Sequence, residues 1–126
     1  MKTKTTKMQI TLTIIYFLVF SFGIIENSIA ATDYYVSPSG NNANSGTTSG
    51  TAFKTISKAA SVIAAGGTVH VAAGTYAENI YTTTNGTANA RIRFVSDTKW
   101  GAKIVPPSNS TKATGFDNRV AYVTIE

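Results

Sequence analysis

Apolar and polar positions change their period several times along this chain. Ile10 to Ile25 is mostly apolar, with Ile14-Ile15-Tyr16-Phe17-Leu18-Val19-Phe20 at its centre, behind a basic start at Lys2, Lys4 and Lys7. Ser28 and Ala30 then put small residues at −3 and −1 of a cut after Ala30. This is the layout of a secretory signal, and the run is short for a membrane-spanning helix. Residues 1–30 are expected to be removed on export; an uncleaved signal anchor is the rival reading. No Cys stands near the cut, which excludes a bacterial lipoprotein anchor.

After the cut, Tyr34-Tyr35-Val36 is a short β-prone run. Ser37 to Thr51 contains only Ser, Pro, Gly, Asn, Ala and Thr, which reads as a surface loop. Its side-chain oxygens include no carboxylate, so it is not read as a metal site. From Phe53 to Ala65 the period becomes helical. Ile56, Ala60 and Ile63 fall on one stripe, with Lys54, Ser57 and Lys58 largely off it. The expected helix proper is 55–65, with Thr55 as its cap and Gly66 as a left-handed C-cap. About eleven residues are marginal in isolation, so this helix needs a surface to lie on.

The remainder alternates with period two. Val69 and Val71 share one parity and His70 takes the other; Ile92 and Phe94 share one parity and Arg91 and Arg93 the other. Gly74-Thr75-Tyr76 reads as a turn, with Ile80 an apolar anchor beyond it. Ile104-Val105 and Val123–Ile125 mark two further strands, and Thr82–Ala90 and Pro106–Thr114 are loops. Val69 to Ile92 is 23 residues and Ile92 to Val123 is 31, within the range of about 20–50 of solenoid repeats. A β-sandwich or a small β-barrel also fits this turn spacing, but neither accounts for a single early helix followed by Gly-Gly and a strand. The sequence stops inside an alternating run, Tyr122 to Glu126, which leads to the expectation of a longer protein.

Removing the signal takes three of eleven basic residues and one of six acidic ones, leaving eight and five and a net charge of +3 over 96 residues. That is no nucleic-acid footprint, but it suits contact with an anionic polymer. There is no Cys, so an exported domain must hold together by packed apolar area alone.

Five segments together carry a family resemblance: Tyr34-Tyr35-Val36-Ser37-Pro38-Ser39-Gly40-Asn41, Phe53-Lys54-Thr55-Ile56, Gly67-Thr68-Val69-His70-Val71, Gly74-Thr75-Tyr76 and Arg91-Ile92-Arg93-Phe94. Over residues 33–126 the chain resembles the N-terminal region of secreted right-handed parallel β-helix proteins. These are the pectate-lyase-like superfamily, and the chain is similar to family 9 pectate lyases and family 6 alginate and chondroitin lyases. The resemblance implies an all-β fold, the first coils of a right-handed parallel β-helix with a short N-terminal capping α-helix. It also implies action on acidic polysaccharide, and Ca²⁺ as a cofactor of a full-length lyase. One departure is Gly67, where the family usually has a polar residue, often Asp; it touches a turn.

A uronate lyase needs a base, commonly Lys or Arg, and Ca²⁺ or another cation to acidify the proton α to the carboxylate. A calcium site in turn needs clustered carboxylates. After Ala30 the acidic residues are Asp33, Glu78, Asp97, Asp117 and Glu126, scattered, with Asp97 and Asp117 able to meet only through loops. No catalytic, cofactor-binding or metal residue is therefore assigned. The plainer readings are an outward solvated or loop-packed His70, a polar outer face for Arg91 and Arg93, a buried turn aromatic for Trp100, and a structural Tyr76. The sequons at Asn85-Gly86-Thr87 and Asn109-Ser110-Thr111 read as turn asparagines. The sharper alternatives are uronate pairing by the arginines and sugar stacking by Trp100.

Three functions fit these residues. The first is an exported polysaccharide-active enzyme of the pectate or alginate lyase type, seen as its N-terminal portion. The second is a non-catalytic β-helix surface or carbohydrate-binding protein, and the third is an inactive truncated product. The expected location is outside the cell, or in the periplasm or on the surface of a bacterium. The expected partner is an acidic polysaccharide, with no nucleic acid and no stable membrane association once the signal is removed.

Overall fold

The structure is a computed structural model that describes residues 30–111 and 114–126. The signal run expected over residues 1–30 lies outside the described residues except for Ala30. Among the described residues no helix is long and apolar enough to cross a membrane.

The described residues form eight short strands, one α-helix and a single 3-10 turn at Ser49–Thr51: β1 (Tyr34–Val36), α1 (Ile56–Val62), β2 (Thr68–Val71), β3 (Gly74–Ala77), β4 (Ile80–Thr82), β5 (Ile92–Ser96), β6 (Ala102–Val105), β7 (Phe116–Asn118) and β8 (Val123–Ile125). They form three sheets, ordered β1-β2-β5-β8 (sheet A), β3-β6 (sheet B) and β4-β7 (sheet C). Every pairing within them is parallel. From β2 onward the chain visits A, B and C in turn, repeats that circuit, and returns to A. A parallel neighbour cannot be reached by a hairpin, and here the chain reaches it by going round through the other two sheets.

Register turns this circuit into a core. On the inner face of sheet A, Tyr34, Val69, Phe94 and Ile125 face one another in sequence, as do Ile92 and Val123. Sheet B contributes Tyr76 opposite Ile104, and sheet C contributes Ile80 opposite Phe116. Val36, Val69, Val71, Tyr76, Ile80, Ile92 and Phe94 are all buried together with Phe53 and the inner face of α1. Buried Thr82 donates its hydroxyl to Asn118 Oδ1 at 2.7 Å and accepts from the Arg119 N–H at 3.2 Å.

The alternating strands expected at Tyr34–Val36, Val69–Val71, Ile92–Phe94, Ile104–Val105 and Val123–Ile125 are present. Gly74-Thr75-Tyr76 is not a turn: it is the body of β3, paired with β6. The strand at Phe116–Asn118 was not foreseen, and Ile80 begins a strand rather than standing as an isolated anchor. Val69 takes Phe94 as its partner, 25 residues on, not Ile92.

Helix α1 buries Ile56, Ala59 and Ala60, and Ile63 beyond its end is buried too, so the expected stripe holds. Thr55 caps the helix by accepting from the Lys58 N–H at 3.2 Å. Its main contacts are with β4, and then with β1 and β2. Alanines at the contact let its backbone come close to the strand. The C-terminus differs from expectation. The helix stops at Val62, and Ile63 is extended, with φ −63° and ψ 140°. Gly66 does have a left-handed φ of 85°, but in the turn that leads into β2. The five residues 63–67 must bring the chain back to sheet A, so the helix gives way early. Lys54 is exposed as expected; Lys58 is half-buried, its ammonium 5.8 Å from the centre of the Phe53 ring.

The loop from Ser37 to Thr51 lies at the surface but is tightly bonded. Asn42 Oδ1 accepts from the N–H groups of Lys54 and Thr55 at 2.9 and 3.1 Å, and Asn44 donates to the Ala52 carbonyl at 3.1 Å. Gly46 is buried with φ 72°, directly against the Phe53 ring.

Candidate functional site

The outer face of sheet A carries Tyr35, His70 and Val95 in register. His70 faces outward as its parity requires, with its side chain 30% exposed. Its ring stacks on Tyr35 with centroids 4.9 Å apart and planes 14° from parallel. Its Nδ1 lies 2.9 Å from Asp97 Oδ1. The carboxylate thus orients the imidazole through Nδ1, the geometry of a histidine held by an orienting group. Sequence parity placed His70; the pairing with Asp97, in the next coil, carries no local signal.

Arg91 and Arg93 are both exposed and both brace β8. Arg91 donates from Nε to Thr124 Oγ1 at 3.0 Å and to the Val123 carbonyl at 3.4 Å, and its guanidinium lies 6.0 Å from the Tyr122 ring centre. Arg93 pairs with Glu126 at 2.8 Å. A uronate carboxylate reaching Arg93 would have to displace Glu126 first.

The five acidic side chains among the described residues are each engaged separately. Asp33 accepts from the Thr68 N–H at 2.9 Å, and Asp97 holds His70. Asp117 pairs with Arg119 at 2.7 Å, and Glu126 with Arg93. Asp97 and Asp117 take different partners and are not brought together. Glu78 accepts from the N–H groups of Ile56 and Ser57, both at 2.8 Å, and from the Ser57 hydroxyl. It therefore neutralises the open N–H groups and the positive end of α1 from the bend between β3 and β4, 22 residues from Ile56. Among the described residues no three or more His, Cys, Asp or Glu side chains are grouped to hold a metal ion.

Tyr76 is structural, as expected: 3% exposed, its hydroxyl donating to the Ala72 carbonyl at 2.8 Å. Burial first, and then the charges of Glu78 and Asp97, push its phenol up to about 12. Asn85 accepts from the Ala121 N–H at 3.0 Å, the turn role expected of it, and Asn109 is exposed. A recess of about 280 Å³ lies beside the start of α1, bounded by Pro38, Lys54, Thr75, Tyr76 and Glu78.

Trp100 overturns its expectation. It is not buried in its turn but 83% exposed, and its φ is 60°. Its neighbour Gly101 is what packs inward, against Thr98 and Ala73, so the turn's interior is filled by backbone and leaves no place for an indole. Tyr122 shares this state, with φ 57° and 46% exposure.

The model of a family described as a protein of unknown function, DUF1565, matches residues 38–84, which run from the loop before α1 through β4. The family is found in β-helix-type proteins. No curated protein matches the chain. Among solved structures the chain is similar to XylC in complex with xylose, at 33% identity over 56% of this chain, with a TM-score of 0.48. The match spans 10% of the length of that structure.

Proposed function

We propose that residues 31–126 are the first coils of a right-handed parallel β-helix in an exported protein that acts on acidic polysaccharide, in its full-length form a lyase of the pectate or alginate type. The observation that carries the proposal is the circuit itself. Three parallel sheets are visited in fixed order, with the next coil's strand always beside the last. Parallel crossovers are right-handed in about 98% of cases, which supports the hand. The outward faces support the ligand class: His70, Arg91, Arg93, Lys99 and Lys103 all lie on outer faces or corners of the coil, where an anionic chain would lie along the stack.

One observation favours a second reading, in which this segment binds carbohydrate and performs no chemistry. Each of the five acidic side chains already has a backbone or side-chain partner, so none stands ready to coordinate Ca²⁺ or to act as an acid or base. Affinity electrophoresis of the full chain through gels holding pectate, alginate or neutral cellulose derivative tests the shared claim. Retardation by the two uronate polymers, weakening as salt rises, is the expected result. Equal migration in all three gels would sink it.

A further inference from the structure

We infer that Trp100, with Lys99 beside it, is a contact point for one uronate ring of an acidic polysaccharide. The inference rests on the ligand class proposed above and adds the place where that ligand is held. A bulky residue in the left-handed region is a steric outlier that L residues adopt only when the surroundings impose it. Here the surroundings do impose it. Gly101 donates to the Thr98 carbonyl at 2.8 Å, Gly74 donates to the Gly101 carbonyl at 2.9 Å, Ser96 Oγ donates to the Thr98 carbonyl at 2.7 Å, and the Ala102 N–H donates to Ser96 Oγ at 3.1 Å. The turn is fixed, so the indole is held out on a rigid base.

Folding does not account for a Trp at this position. At 83% exposure it gains little from burial, and glycine would suit φ 60° without strain. What remains is the ring's exposed face. An indole offers a flat, polarisable surface to the C–H face of a pyranose. The Lys99 ammonium lies 6.0 Å from the ring centre, near enough to meet the carboxylate at the edge of a stacked uronate. Lys99 takes part in none of the ion pairs among the described residues, so its charge is uncompensated. Lys103, on the outer face of sheet B, adds to the same field. The pairing also recurs: the other non-glycine residue with positive φ among the described residues, Tyr122, is an exposed aromatic with the Arg91 guanidinium 6.0 Å from its ring centre.

Trp100 is the sole tryptophan in the sequence, so its own fluorescence reports on the site. The full chain is titrated with oligogalacturonate, with a neutral cello-oligosaccharide and with oligothymidylate, while total binding is followed by calorimetry. Saturable quenching or a blue shift with oligogalacturonate is expected. By calorimetry Trp100→Ala should bind about five- to tenfold more weakly, the effect of losing one aromatic contact. Lys99→Met should lose about threefold for the uronate and nothing for the neutral sugar. Trp100→Gly should lose binding yet unfold at higher denaturant than the parent, which separates a binding role from a structural one. Binding of oligogalacturonate by calorimetry with no fluorescence change, or with Trp100→Ala unimpaired, would overturn this site and leave the proposed function standing. Tighter binding of oligothymidylate would overturn the ligand. No binding of any uronate oligomer would overturn both.

Discussion

Gly46 shows how much a single position decides in a loop that looks featureless in sequence. It is buried, its φ is 72°, and a Cβ there would run into the Phe53 ring. Phe53 is core, so the ring cannot yield without disturbing the first coil. Gly46→Ala should cost more than about 2 kcal/mol, combining left-handed strain with overpacking. Gly50, in the same loop, has nothing near its Cβ position, and Gly50→Ala should change stability by less than about 0.5 kcal/mol. Urea midpoints of the two variants check the contrast, and equal values would refute it. Tyr76 gives a second test. Its folded pKa, about 12, lies above the ordinary phenol value of 10.0. The neutral form is what the fold favours, so this contribution is complete below pH 10 and is lost as pH rises from 10 towards 12. Tyr76→Phe should be about 1 kcal/mol less stable at pH 8, from the lost bond to Ala72. Above pH 10 it should lose less stability than the parent, and parallel curves from pH 8 to 11.5 would contradict this assignment. The sequence showed His70 facing outward by parity and marked Tyr76 as structural by its Gly-Thr-Tyr context. It misplaced Trp100, because an aromatic before a glycine looks like a packed turn unless the backbone angle is known.

Among the elements, α1 was legible and its partner was not. Ile56, Ala60 and Ile63 keep helical spacing, and Thr55 is a plain N-cap, so both the stripe and the start could be read from the chain. The carboxylate that completes the start, Glu78, comes from the next coil, and nothing in its neighbourhood in sequence marks it. The strands divide in the same way. β2 and β5 alternate over four or five residues and announce themselves, whereas β3, β4 and β7 have three or four residues and one or two inward side chains each, too few to show a period. The early end of α1 follows from what comes after it, since the chain must return to sheet A. Glu78→Ala would leave two helix N–H groups without their acceptor, and the Ser57 hydroxyl with only its 3.4 Å bond to the Asn79 carbonyl, and should cost about 2–3 kcal/mol. Glu78→Gln keeps one acceptor oxygen and should cost less. Amide exchange across Ile56–Val62 should rise in the Ala variant before the rest of the chain responds; uniform protection would show that the clamp is not what holds the helix.

For the whole molecule, the circuit through three sheets follows from a pattern that the sequence shows only in part. Steps of 23 and 31 residues between apolar pairs suggested a solenoid, and the registers are 25 residues between β2 and β5 and 31 between β5 and β8. The error at the first step arose because period two cannot tell Ile92 from Phe94, which share a face. The absence of local repeats in the sequence has a physical cause. Each coil needs only a few inward apolar residues of any kind, and its loops are free to differ in length. Chemistry is sparser still. On the proposed reading, a surface with an oriented His70, two arginines that brace β8 and five engaged carboxylates holds an anionic polymer without cleaving it. Incubated with pectate or alginate in the presence of calcium, the chain should release no unsaturated uronate, whose ultraviolet absorbance makes β-elimination easy to follow. Proton abstraction α to the carboxylate needs a base beside a cation or metal that stabilises the resulting charge. His70, the one histidine of the sequence, has a carboxylate, Asp97, at its side instead. Turnover that survived replacement of His70, Arg91 and Arg93 together would place an active site away from the outer face of sheet A. Turnover abolished by that replacement would place it on that face and make the His70–Asp97 pair its base.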